Sequence, residues 1–183
     1  MKSIFLALLL APFSAQAGST APSQAVGHQP GEEAAVLAAM DRYLTAISAG
    51  DLKTMVEMDM PGAMTWRAGA KEGGAMEIKP RPASYWTDPA NEDGTRLRER
   101  YWSPTVLVRG SIATVWAPYE FWRDGKTSHC GVDAFDFVKV DGTWRVANGM
   151  WTVEPKACAE LRPSDPSQIR PADAGPDNPA QAG

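Results

Sequence analysis

His129 and Asp133 stand four residues apart in the run Lys126–Val140, where apolar residues recur in the rhythm of a strand. Successive side chains of a strand point to opposite faces, so residues an even number apart share one. Registering the flanking hairpins says what these two would meet. If Arg123 faces Lys126, Asp133 lies opposite Trp116 and His129 opposite Glu120; across the next hairpin, Asp133 faces Met150 and His129 faces Glu154. One face then carries Trp116, Glu120, His129, Asp133, Phe135, Phe137, Met150 and Glu154, and the other Val115, Ala117, Tyr119, Val132, Ala134 and Trp151. A one-residue bulge would exchange the two sets. A carboxyl group between Trp116, Phe135 and Met150 would be partly desolvated, which raises its pKa and makes it a neutral hydrogen-bond donor. The competing reading is an aspartate paired with a backbone amide or an arginine. With Glu120 and Glu154 beside it, His129 reads as a positioned base, a charged clamp or part of a solvated rim.

Four strand-like runs must position these groups: Arg98–Val108, Ser111–Trp122, Lys126–Val140 and Thr143–Glu154. Arg109-Gly110, Asp124-Gly125 and Asp141-Gly142 separate them, and Asp-Gly between alternating apolar runs is a strong hairpin signal. The expectation is an antiparallel meander. Ahead of it, Val36, Leu37, Met40, Tyr43, Leu44 and Ile47 recur at spacings of three and four, predicting an amphipathic helix over Glu32 to Ala49. Gly50 suits the residue past its end, and Asp51 can cap a second helix to about Met58. Pro61-Gly62 should stop that helix, with a short strand over Ala63 to Arg67. Residues 68–96 give no clear element; they hold Tyr85-Trp86 and read as a short helix or a flap over a site. Strands in series behind a helical pair make an α+β fold, with the helices on one face of the sheet.

The ends read differently. Lys2, the apolar stretch Ile4 to Phe13 and Ala15-Gln16-Ala17 form a signal-peptide pattern over residues 1–17, too short to span a bilayer. Residues 18–31 and 159–183 are rich in Pro, Ala, Ser and Gly and are expected to be a flexible linker and a disordered tail around one domain, 32–158. Export to a periplasm or the cell exterior follows, and there the two cysteines should be bridged. With Asp141-Gly142 as the turn, Cys130 faces about Val153, and Cys158 lies one short curl beyond. The formal charge of −4 without a basic run argues against nucleic acid and anionic membranes as partners. Only two histidines exist, and no phosphate-cradling or dinucleotide motif, so neither metal nor cofactor is expected.

Three segments carry a resemblance. Asp41 to Leu52 is similar to the opening helix and turn of the SnoaL-like, nuclear-transport-factor-2-like superfamily, which includes ketosteroid isomerase. Asp133-Ala134-Phe135-Asp136-Phe137 resembles its pocket strand, and Asp141-Gly142-Thr143-Trp144-Arg145-Val146 its hairpin. Ser128 to Asp133 looks like an exported subgroup. The resemblance implies a cone-like, curved antiparallel sheet wrapped around the helices, enclosing a pocket open at one end. In the isomerases a helix tyrosine and a strand aspartic acid form an oxyanion hole, and Tyr43 and Asp133 fall at those positions. The isomerase base position, however, falls near Trp66 or Arg67, and neither removes a carbon-bound proton.

Three functions remain open. The first is a small-molecule binder, with Trp66, Trp116, Phe135, Met150, Tyr43 and Trp86 as apolar walls and His129 and Asp133 fixing a polar group. The second is an isomerase, dehydratase or hydrolase using Tyr43, His129 and Asp133. The third is a scaffold that forms a homodimer through the outer sheet face.

Overall fold

A computed structural model describes residues 29–71 and 74–171. The expected signal peptide, nearly all of the linker and the last twelve residues lie outside the described residues. Helix α1, Pro30–Ala49, begins two residues earlier than expected, with Pro30 at the first turn, where its missing N–H costs nothing. Gly50 ends it in the left-handed conformation (φ 65°) and returns its N–H to the last turn. Asp51 accepts from the Thr54 N–H at 3.0 Å and so starts α2, Leu52–Met58.

The sheet follows without a linker. Strand β1, Asp59–Ala70, begins directly after α2 and runs through Pro61-Gly62, which break the register with the neighbouring strand instead of stopping the helix. The unassigned region supplies β2, Met76–Pro82, and two short 3-10 turns, Ala83–Tyr85 and Pro89–Asn91. The first meander run is two strands, β3 (Leu97–Tyr101) and β4 (Thr105–Arg109), broken where Ser103 takes φ 44°. Both pair with β5, Ile112–Arg123. Strands β6 (Lys126–Val140) and β7 (Thr143–Val153) complete the meander. Asp124-Gly125 and Asp141-Gly142 all have positive φ, the turn geometry whose twist matches that of paired strands.

The order β2-β1-β7-β6-β5-β3, with β4 also on β5, gives a curved, unclosed sheet that is antiparallel except for the parallel pair β1 and β7. Helix α1 lies across its inner face. Val36, Met40, Tyr43 and Leu44 pack there against Val115, Ala117, Phe135, Phe137 and Val146, forming the core. The fold is α+β, as expected, with the core between one helix and a bent sheet.

Cys130 and Cys158 form the expected disulfide. It ties the short helix α3, Cys158–Leu161, to β6. The segment after it is bound, so the disordered tail expected from residue 159 does not describe 159–171. Trp102 Nε1 donates to the Leu161 carbonyl at 2.6 Å, and Tyr101 and Arg170 exchange two backbone hydrogen bonds of 2.8 Å. Composition alone misses these anchors because their partners lie some sixty residues away. The chain-entropy model assigns a loop of this size about 3–4 kcal/mol. Reduction, or Cys158→Ser, should therefore lower the unfolding free energy by about that amount in urea titrations. Unchanged midpoints in both would show that the strap holds without the bond.

Candidate functional site

Two extra residues, Ser128 on β6 and Ala147 on β7, decide which side chains meet. Phe121 lies opposite His129 but Trp122 opposite Thr127, so Ser128 is bulged out of the β5–β6 ladder. Beyond it Asp133 faces Ala117 on one side and Trp151 on the other. The expected register, Asp133 opposite Trp116 and Met150, is off by one on both sides: the Ser128 bulge shifts it against β5, and the unpaired Ala147 shifts it against β7. The inner face carries Phe121, Tyr119, Ala117 and Val115 of β5, His129, Asp133 and Phe135 of β6, and Trp151 of β7. Of the expected pocket walls, Phe135 is inside. Trp66, Met150 and Trp116 are not: they form one cross-strand row on the outer face with Ala134, and are 38, 40 and 56% exposed.

The residue the sequence reading missed is Glu99. It stands on β3 opposite Phe121, in the same row as His129, and only 7% of it is exposed. Asp133 is 1% exposed, and its Oδ2 has no hydrogen-bond partner among the described residues. Burial pushes both carboxyl groups up, Asp133 the more strongly because the Glu99 charge and a hydrogen bond to Glu99 add to it. Between them the two groups hold a proton. Registering β3 on β5 in the sequence would have put Glu99 beside Phe121; its place in a charged run, Arg98-Glu99-Arg100, hid it.

Tyr119 sets the back of this site. Its hydroxyl donates to the Thr152 carbonyl at 2.6 Å, and its ring lies over Gly131. A Cβ at Gly131 would sit 2.2 Å from that carbonyl and 2.8 Å from the ring, so only glycine fits. Burial, then the Asp133 and Glu99 charges, keep Tyr119 a phenol. His129 hydrogen-bonds Ser128 Oγ at 3.0 Å and packs between the Tyr119 and Phe121 rings. Burial first, then Arg67 and Arg123, pull its pKa down to about 4, so the imidazole is neutral near pH 7. Trp86 covers Trp151 edge-on, with ring centroids 5.8 Å apart, and donates to Thr65 Oγ1 at 2.9 Å.

Other expected partners are elsewhere. Tyr43 packs edge-on against Phe135, but its hydroxyl donates to Asp59 Oδ1 at 3.1 Å, away from any oxyanion at Asp133. Glu120 is on the outer face, fully buried among Arg100, Thr127 and Arg162. Burial alone would raise its pKa; these donors together outweigh it and hold the carboxylate ionised. Glu154 is exposed and accepts from Thr152 Oγ1 at 2.6 Å, so neither glutamate sits with His129. Glu120, Cys130 and Cys158 offer atoms within 4.8 Å of one another, but the two sulfurs are bonded and cannot act as thiolate ligands.

A carboxyl pair with raised pKa binds more protons folded than unfolded above about pH 4, so its stabilisation is lost as pH rises. Asp59, raised by burial to about 6, acts in the same direction, and His129 in the opposite one, losing stabilisation as pH falls below about 6.5. Asp133→Asn isolates the pair. Between about pH 4.5 and 7.5 the parent should lose on the order of 2 kcal/mol more than the variant in urea titrations. Parallel curves would mean that no proton is held there.

No protein-family model and no curated relative matches the chain. Solved structures do. A nuclear-transport-factor-2-like protein of unknown function from Pseudomonas putida aligns with a TM-score of 0.54 at 14% identity, covering 69% of this chain and 89% of that one. A cystatin-like-fold protein from Nostoc punctiforme gives 0.53 at 11% identity, over 72% and 97%. The beta subunit of a putative aromatic-ring-hydroxylating dioxygenase from Novosphingobium aromaticivorans gives 0.55 at 12%, over 67% and 89%. With its helices laid into an unclosed, curved sheet, the chain has the nuclear-transport-factor-2-like fold.

Proposed function

We propose that the cone binds a small, mostly apolar, uncharged molecule carrying one hydroxyl or carbonyl oxygen. The observation that carries this reading is the buried Asp133 Oδ2 without a partner. An unsatisfied buried polar atom costs free energy that a ligand group can recover, and a neutral carboxyl both donates and accepts. Phe121, Phe135, Trp151 and Tyr119 supply the apolar and aromatic surroundings such a group needs, and Trp86 supplies a cover. An anionic ligand would meet the Glu99–Asp133 pair and be repelled. Catalysis is the weaker alternative: a histidine with its pKa near 4 is a poor base, and the Tyr43 hydroxyl is engaged by Asp59.

Export fits the same reading. The leading segment has a signal-peptide pattern, the domain carries a disulfide, and no helix among the described residues is long and apolar enough to cross a membrane. A panel of small cyclic ketones and phenols, with matched carboxylates as controls, tests the binding. A true ligand at a hundredfold excess over its Kd should stabilise the protein by about 2.7 kcal/mol. That gain should vanish in Asp133→Leu. If no neutral compound raises Tm and Asp133→Leu is simply more stable than the parent, the pair is structural and the reading fails.

A second reading has its own support. Trp66, Met150 and Trp116 are exposed in one row across the sheet, interrupted only by the small, buried Ala134, with Leu107 exposed beside it. An apolar sheet face of this kind suits a homodimer contact. Sedimentation should then give a dimer for the parent and a monomer for Trp116→Glu. A monomeric parent at 100 μM, a concentration of about the weakest useful contact, removes this reading.

A further inference from the structure

Outside the cone, a cleft of about 320 Å³ opens between the end of α2, the start of β1 and the turn at Ala83–Tyr85. Val56, Met60, Pro61 and Pro82 supply apolar walls, and Asp59, Ser84 and Thr87 the polar groups. Val56 is 57% exposed although it belongs to a helix that packs into the core, so the cleft leaves an apolar side chain uncovered. Its volume is at the lower end of small-molecule sites.

Several acids of this fold meet a cation. Asp41 meets Arg170, Glu57 meets Lys53, Glu77 meets Lys79, and Glu120 meets Arg100 and Arg162. Asp59 forms no ion pair among the described residues. Among the described residues its side chain accepts one hydrogen bond, from the Tyr43 hydroxyl on Oδ1. A half-buried carboxylate with a single neutral donor lacks compensation for the water it has lost. That imbalance shows in its pKa, which burial raises to about 6 against the lowering effect of Tyr43.

We infer that this cleft binds a small apolar amine in its ammonium form, with Asp59 as the counter-ion. The ammonium supplies the missing charge, Ser84 and Thr87 offer hydroxyl acceptors for its remaining N–H groups, and the hydrocarbon part covers Val56 and Pro82. The site is independent of ligand binding in the cone, although Tyr43 touches both: its ring packs on Phe135 and its hydroxyl on Asp59. A filled cleft would fix the Tyr43 hydroxyl more firmly toward Asp59.

The test uses benzylamine and its uncharged counterpart benzyl alcohol, titrated into the full-length protein at pH 7.5 and followed by methyl NMR. Benzylammonium should shift the Val56, Met60, Ala63 and Ala83 methyl signals saturably, with a Kd about tenfold below that of benzyl alcohol. Asp59→Asn keeps an acceptor for Tyr43 and should lose that preference. Val56→Lys, at an exposed position, brings a tethered ammonium into the cleft and should abolish binding without touching the core. Equal affinity of benzylammonium for the parent and Asp59→Asn overturns the inference. So do shifts confined to Met150 on the outer face, or undiminished binding to Val56→Lys, which decides the matter if Asp59→Asn fails to fold. Benzyl alcohol bound at Asp133 instead, with no amine response at Ala83, would uphold the cone reading and reject this one.

Discussion

Side chains on a strand alternate with period two, so one residue of slip moves a whole set from the core to water. This sheet uses that rule at Ser128. The bulged residue lets Cys130 and Glu120 share the outer face, where Cys130 bonds Cys158 and Glu120 receives Arg162. In the same stroke His129, Gly131, Asp133 and Phe135 turn inward. Without the extra residue the hairpin would put Asp133 beside Trp116, and the disulfide would have to cross the core. The strap after Cys158 and the buried carboxyl pair thus depend on the same local event.

A second register shift, between Asp136 and Phe137 on β6, leaves Ala147 unpaired on β7. Beyond it Phe137, Trp144 and Val146 are all buried against α1. Bulges at both ends of the site strand raise the local twist and curvature of the sheet. That curvature gives α1 a concave surface to lie in, and leaves room at Gly131 for the Tyr119 ring to fold over the backbone. The bend and the missing Cβ are two halves of one fit.

The elements were legible where the signal was local. The stripe Val36, Met40, Tyr43, Leu44 marked α1, Asp51 marked the cap, and two Asp-Gly turns set their hairpins. The disulfide followed from hairpin geometry together with the expected compartment. What failed was long-range or singular. A bulge has no composition of its own, so β5 and β7 were registered one residue off and Trp116 and Met150 were put on the side of Asp133. The parallel pairing of β1 with β7 joins segments about eighty residues apart, which no turn motif announces. Glu99 was lost for a related reason, because its meaning depends on Asp133, thirty-four residues later.

The two carboxyl sites show why burial alone does not say what an acid does. Asp133 and Glu99 lie together in a closed interior, so the cheapest state shares a proton and leaves one negative charge on the pair instead of two. Asp59 has only a phenol beside it and an open cleft in front, and it ionises near neutrality. Neutral partners suit the first site and cations the second, although the same aromatic residue, Tyr43, borders both. Glu120, surrounded by guanidinium groups, is the contrasting case: more completely buried than Asp59, yet held as an anion. The number and charge of donors around each group decide its state, and each set of donors is dictated by which face of the sheet, or which side of α1, the register leaves it on.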